Sequence, residues 1–206
     1  MKKDVPNSFV SFCFRNLFTL IGLNLLFLLT CIPVLTIPAS LTALANACHT
    51  LLADEKPSVR KYFRSFKLNF LPALPIGFIF VLGPMMVFYG CLFYYSISET
   101  TEMAIVLSVF CLICVYVLFC VGMFAFQSLA RVNLRATLII KNAFYLTFQH
   151  PRLIFSWFLI AFITIMAIWG GFPYSFPWLL LIGVSLPCII VSRGALPIIN
   201  STIVKE

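Results

Sequence analysis

The chain has 206 residues, of which 62% are hydrophobic and 10% charged. A soluble domain carries roughly 25% charged residues, so a soluble globular enzyme is excluded as the simplest reading. The net charge of +8 comes with 23 Phe and several long apolar runs. In that setting the charge reflects cytoplasmic loops and anionic headgroups, and nucleic acid is excluded as a partner.

Several runs exceed the roughly 18 apolar residues that mark a spanning helix. They are continuous rather than alternating, so the backbone closes its hydrogen bonds within helices and not in a barrel. The fold expected is all-α: a single polytopic transmembrane bundle of five to six helices with cytoplasmic amphipathic elbow helices.

Residues 1–16 begin on the cytoplasmic side. Phe9, Phe12, Phe14 and Arg15 suit an interfacial approach to the membrane. Ala43-Leu44-Ala45 and Ala45-Asn46-Ala47 imitate a signal-peptide cleavage site. Cleavage would leave Lys56, Arg60, Lys61, Arg64 and Lys67 outside, against the positive-inside rule, so an uncleaved start is expected.

The first span is expected at 16–32 and stops at Pro33, which has no backbone N–H to donate. Pro38 suits the first turn of a second helix at 38–53, with Thr36 placed to cap it. Ala39, Ala43 and Ala47 give this helix a small-residue face for close packing. Three placements stay open for it: a full crossing, a re-entrant half, or a surface helix. Asp54, Glu55 and Lys56 mark its exit to water.

Residues 57–70 read as an interfacial elbow. Val59, Tyr62, Phe63, Phe66 and Phe70 share one face, and Arg60, Lys61, Arg64 and Lys67 the other. Spans follow at 71–95, with a bend expected at Gly83-Pro84, and at 103–127. Glu99 and Glu102 sit in the short loop between them. A second basic amphipathic stretch covers 128–152, with Arg131, Arg135, Lys141 and Arg152. The last spans fall at 153–170 and 178–192, joined by an uncharged turn, Phe172-Pro173-Tyr174-Ser175-Phe176-Pro177, with Trp169 and Trp178 beside it. The tail carries Arg193 and Lys205.

Parity decides the orientation. If 38–53 returns to its starting side, six passes put all 14 basic residues and both termini in the cytoplasm. If it does not return, five passes leave Lys2, Lys3 and Arg15 outside. The positive-inside rule favours six.

All six carboxylates, Asp4, Asp54, Glu55, Glu99, Glu102 and Glu206, lie outside the spans. Ion-coupled transport and intramembrane acid–base hydrolysis both want an ionisable group near the midplane, so neither is expected. No phosphate-loop, zinc-protease, hydrolase-elbow or dinucleotide motif occurs. No enzyme activity and no cofactor are expected. Cys111-x-x-Cys114 has a metal or redox spacing, but it lies mid-span without further ligands, so no metal is expected and the thiols read as packing. Asn24, Asn46 and His49 form a candidate polar cluster. It is either a pocket for a sugar-like or peptide-like ligand or, as preferred, interhelical hydrogen bonding. Arg60, Lys61, Arg64, Lys67, Arg131 and Arg135 are candidates for contact with lipid headgroups or a cytoplasmic partner.

At Asn24-Leu25-Leu26, Pro33-x-x-Thr36, Pro38-Ala39-Ser40-x-Thr42-Ala43-Leu44 and Phe63-x-x-Phe66-Lys67-x-Asn69-Phe70 the chain resembles the YesL family of bacterial membrane proteins. Block order, length and hydrophobic profile agree along the whole chain. Where that family often carries bulkier aromatics, this chain has Asn46-Ala47-Cys48-His49. The resemblance implies no established biochemical activity. Genes of the family commonly lie beside those for carbohydrate uptake by ABC transporters and for glycoside degradation. An accessory role in sugar uptake at the bacterial cytoplasmic membrane is therefore implied, with transporter subunits or a second copy as partners. The alternative is a permease or facilitator for a neutral solute, without ion coupling.

Overall fold

A computed structural model of the protein describes residues 9–98, 102–132, 134–171 and 174–202. The expectations for Lys2, Lys3, Asp4, Glu99, Phe172, Pro173, Lys205 and Glu206, and for the side chains of Glu102 and Trp169, fall outside the described residues.

The described residues form helices and no strands, as the continuous apolar runs require. Eleven α-helical segments follow in order. They are α1 (Phe9–Arg15), α2 (Leu17–Thr30), α3 (Ile37–Leu52), α4 (Val59–Gly77), α5 (Gly83–Ser96) and α6 (Glu102–Arg131). Then come α7 (Ala136–Gln149), α8 (Pro151–Leu153), α9 (Leu159–Gly170), α10 (Phe176–Ile182) and α11 (Ser185–Thr202).

Among the described residues, three helical runs are long and apolar enough to cross a membrane: Val34–Leu52, Val59–Ser96 and Met103–Arg131. Two bent pairs, α1–α2 at 70° and α10–α11 at 47°, raise the number to five if each is one span. The expected segment at 153–170 holds a shorter apolar helix, Ser156–Ala167.

The helix whose placement the sequence leaves open is the most enclosed of the three runs. Its most apolar window is 61% buried, against 22% and 28% for the other two. α3 packs against α2, α4, α6 and α11, so the bundle encloses it on several sides. Ala39, Ala43 and Ala47 are all buried, as the small-residue spacing predicts. Thr36 does not cap α3 with its side chain. Its hydroxyl instead reaches back to the carbonyls of Thr30 and Pro33, closing the turn between α2 and α3.

α3 stops without a glycine. Asp54 takes a left-handed backbone, φ 59°. Its N–H bonds Leu51 O, and the N–H of Glu55 bonds Thr50 O. That pair of reverse bonds satisfies the last carbonyls of the helix.

The elbow and the following span form one continuous helical run, Val59–Ser96. One inward stripe crosses the expected boundary: Tyr62, Ser65, Asn69, Ala73 and Ile76 are buried at three- and four-residue steps. Tyr62 therefore leaves the lipid-facing set, and its hydroxyl bonds Thr30 Oγ1 at 2.9 Å. Val59 and Phe63 remain exposed. Near the expected bend, a π-helical turn at Phe78–Leu82 precedes Gly83-Pro84. Pro84 has no N–H for the carbonyl one turn back, and its ring crowds that carbonyl. A wider turn accommodates both effects.

α5 and α6 form an antiparallel hairpin, pinned where Ser108 Oγ donates to Cys91 O at 3.1 Å. Cys91 is the single buried residue of α5, so α5 is largely exposed, whereas α6 enters the core through Cys120, Val121, Phe124, Ala125 and Leu129. α6 ends at Arg131, one turn past the expected 127. α7 then packs Ile139, Ala143, Leu146 and Thr147 inward and leaves Leu138, Tyr145 and Phe148 exposed.

Candidate functional site

An imidazole or amide in an apolar helix must find a partner, because lipid offers none. Asn46 and His49 lie one turn apart on α3. His49 is 6% exposed, and its Nε2–H donates to Gln127 Oε1 on α6 at 2.5 Å. The same oxygen accepts from Ser192 Oγ on α11 at 3.1 Å. Gln127 Nε2 turns to Cys188 Sγ at 3.9 Å. Asn46 Nδ2 donates to Ala130 O, also on α6. One buried node thus joins α3, α6 and α11. Within it His49 Nδ1 has no hydrogen-bond partner among the described residues.

Asn24 belongs to a different place. Its Nδ2 donates to Leu179 O and Leu180 O, both at 2.8 Å. Its Oδ1 accepts from the backbone N–H of Val184 at 3.0 Å and of Ser185 at 3.1 Å. The amide therefore ties the last carbonyls of α10 to the first amides of α11, holding the 47° bend between them. The expected cluster of three resolves into two sites: Asn46 with His49 at the node, and Asn24 as a clamp.

The node's titratable groups are the His49 imidazole and the Cys188 thiol, with no carboxylate among the described residues bonded to either, and the clamp joins an amide to backbone groups. Asp54 and Glu55 are exposed and lie in ion pairs with Arg15 at 3.6 Å and Lys61 at 3.3 Å. Among the described residues no three His, Cys, Asp or Glu side chains are placed to hold a metal ion. Cys111 and Cys114 are half-exposed on α6.

The other candidates are all on the outside. Arg60, Lys61, Arg64 and Lys67 are exposed along α4, and Arg131 and Arg135 are exposed around the end of α6. Arg131 Nε donates to Asn200 Oδ1 at 3.2 Å. Sequence reading placed Arg193 in the tail. The structure stacks its guanidinium on Phe9 at 4.9 Å and Trp157 at 5.9 Å, joining α11 to the N-terminal helix. Gln127 was visible as a lone amide in an apolar run, and the need for a partner was the signal that pairs it with His49.

A family model described as "Protein of unknown function, DUF624" matches residues 20–95. That stretch runs from α2 to the end of α5 and holds Asn24, Asn46, His49 and the basic face of α4, but not Gln127 or Ser192. No curated protein matches, and no solved structure matches.

Proposed function

We propose that this chain is an accessory membrane component of a bacterial carbohydrate-uptake system of the ABC type, related to the YesL family and catalysing no reaction of its own. It sits in the cytoplasmic membrane with both termini inside. It works through helix faces and exposed basic surfaces, contacting transporter subunits, lipid or a second copy.

One observation supports this reading above others. The amides of Asn24, Asn46 and Gln127 and one nitrogen of His49 are used on neighbouring helices, whereas Arg60, Lys61, Arg64, Lys67, Arg131 and Arg135 are exposed. A permease for a polar solute would want interior polar groups left for the solute, and an enzyme would want a positioned acid or base.

Crosslinking in native membranes, followed by mild-detergent capture and mass spectrometry, tests it. Near-stoichiometric recovery of sugar-transporter subunits is the expected result. Recovery of the chain alone, with solute flux in vesicles made from it, would replace this reading with a facilitator that acts by itself.

A further inference from the structure

α2 and the start of α4 leave a groove of about 600 Å³ between them. Thr19, Gly22, Leu26 and Leu29 line one wall, and Pro57 and Val59 the other. From Thr19 to Leu29 the helical rise gives about 15 Å, the depth of one leaflet of a ~30 Å hydrocarbon core. A Cβ built on Gly22 meets nothing within 4 Å, so the groove is open down to the backbone there.

Two cations adjoin its second wall in sequence. Lys56 precedes Pro57, Arg60 follows Val59, and both are exposed. Neither holds an ion pair among the described residues: Asp54 is engaged by Arg15 and Glu55 by Lys61. The first turn of α4 contains no acid, so the positive end of a 19-residue helix adds to these charges instead of being offset. A second groove, of about 430 Å³ between α9 and α10–α11, has hydroxyls from Thr164 and Ser175 in its wall, and no basic residue adjoins its lining in sequence.

We propose that the groove between α2 and α4 binds one anionic phospholipid, with an acyl chain along α2 and the phosphate at Lys56 and Arg60. The apolar wall takes the chain, and the two cations with the helix terminus select the headgroup. The site makes α2 and the basic face of α4 one lipid-reading unit, independent of whether transporter subunits are bound.

Native mass spectrometry of the detergent-purified full chain tests this with phosphatidylglycerol and phosphatidylcholine of equal acyl length. One phosphatidylglycerol should survive delipidation, and phosphatidylcholine should not. Lys56→Gln and Arg60→Gln should each lower retention about fivefold, the effect of one cation near an anionic surface. Gly22→Leu, whose Cβ meets nothing within 4 Å and whose branch enters the groove, should abolish retention. Gly90→Leu, at an equally open glycine on α5, should leave it unchanged. Full retention by Gly22→Leu, or equal retention of the two lipids, would overturn the assignment. So would displacement by glycerol phosphate, which lacks acyl chains.

Discussion

His49 on α3 and Gln127 on α6 are joined by a hydrogen bond buried from both water and lipid. The imidazole N–H depends on Gln127 as its acceptor, whereas the amide oxygen also accepts from Ser192 Oγ. Gln127→Leu should destabilise the protein by about 1–3 kcal/mol, the cost of a stranded buried donor. His49→Leu should cost less, since Ser192 still donates to Gln127. The double replacement His49→Leu with Gln127→Leu should recover part of the loss. Thermal unfolding in detergent reads all three, and additive single effects would show that the pair is not coupled.

Asn24 has the larger role in holding the fold. Its amide bonds four backbone groups at the α10–α11 break, of which Leu179 O also accepts from Gly183 N–H at 3.3 Å. Asn24→Leu should strand Leu180 O and the N–H groups of Val184 and Ser185 together and cost more than Asn46→Leu, which removes a single 3.3 Å bond to Ala130. Asn24→Asp keeps the acceptor for Val184 and Ser185 but sets a carboxylate against two carbonyls, so it should be no better than Leu. Limited proteolysis around Gly183 measures it directly. Equal resistance in Asn24→Leu and the native chain would rule out the clamp.

Much of this was legible in the sequence for physical reasons. Apolar run length fixed the helical class, Ala39-x-x-x-Ala43-x-x-x-Ala47 marked a close-packed face, and Pro33 ended α2. What was not legible depends on three-dimensional pairing. The break between α10 and α11 reads as apolar chain with one glycine, and nothing local says that an amide some 155 residues away holds it. Tyr62 looks interfacial because its neighbours Arg60, Lys61 and Phe63 do; only the position of α2 turns it inward to Thr30. The stop at Asp54 carries no glycine signal, and it needed the backbone angle to be seen.

A close approach of α3 and α4 at Pro38 and Gly77 gives a sharper test of packing. A Cβ on Gly77 would lie 2.0 Å from Pro38 Cγ, and the proline ring cannot swing aside. Gly77→Ala should therefore cost about 1–3 kcal/mol as an overpacked contact. Gly83→Ala and Gly90→Ala meet nothing within 4 Å. They should be neutral or stabilising by up to about 1 kcal/mol, because alanine loses less backbone freedom in a helix. The contrast between positions on one helical run controls for detergent and expression. A neutral Gly77→Ala would mean that α3 and α4 stand further apart.

Arg193 ties the end of the chain to its beginning. Phe9 and Trp157 meet edge-to-face at 5.4 Å, and the guanidinium lies over both rings. An exposed cation–π contact is worth about 0.5–1 kcal/mol, so Arg193→Gln should destabilise less than Asn24→Leu. Its clearer effect should be local: α1 loses a fixed contact, so its amide hydrogens should exchange faster while those of α3 stay protected. Arg193→Lys keeps the charge but not the planar stack, and should give an intermediate result. Unchanged exchange in α1 for Arg193→Gln would show that the Phe9–Trp157 contact holds this helix without the cation.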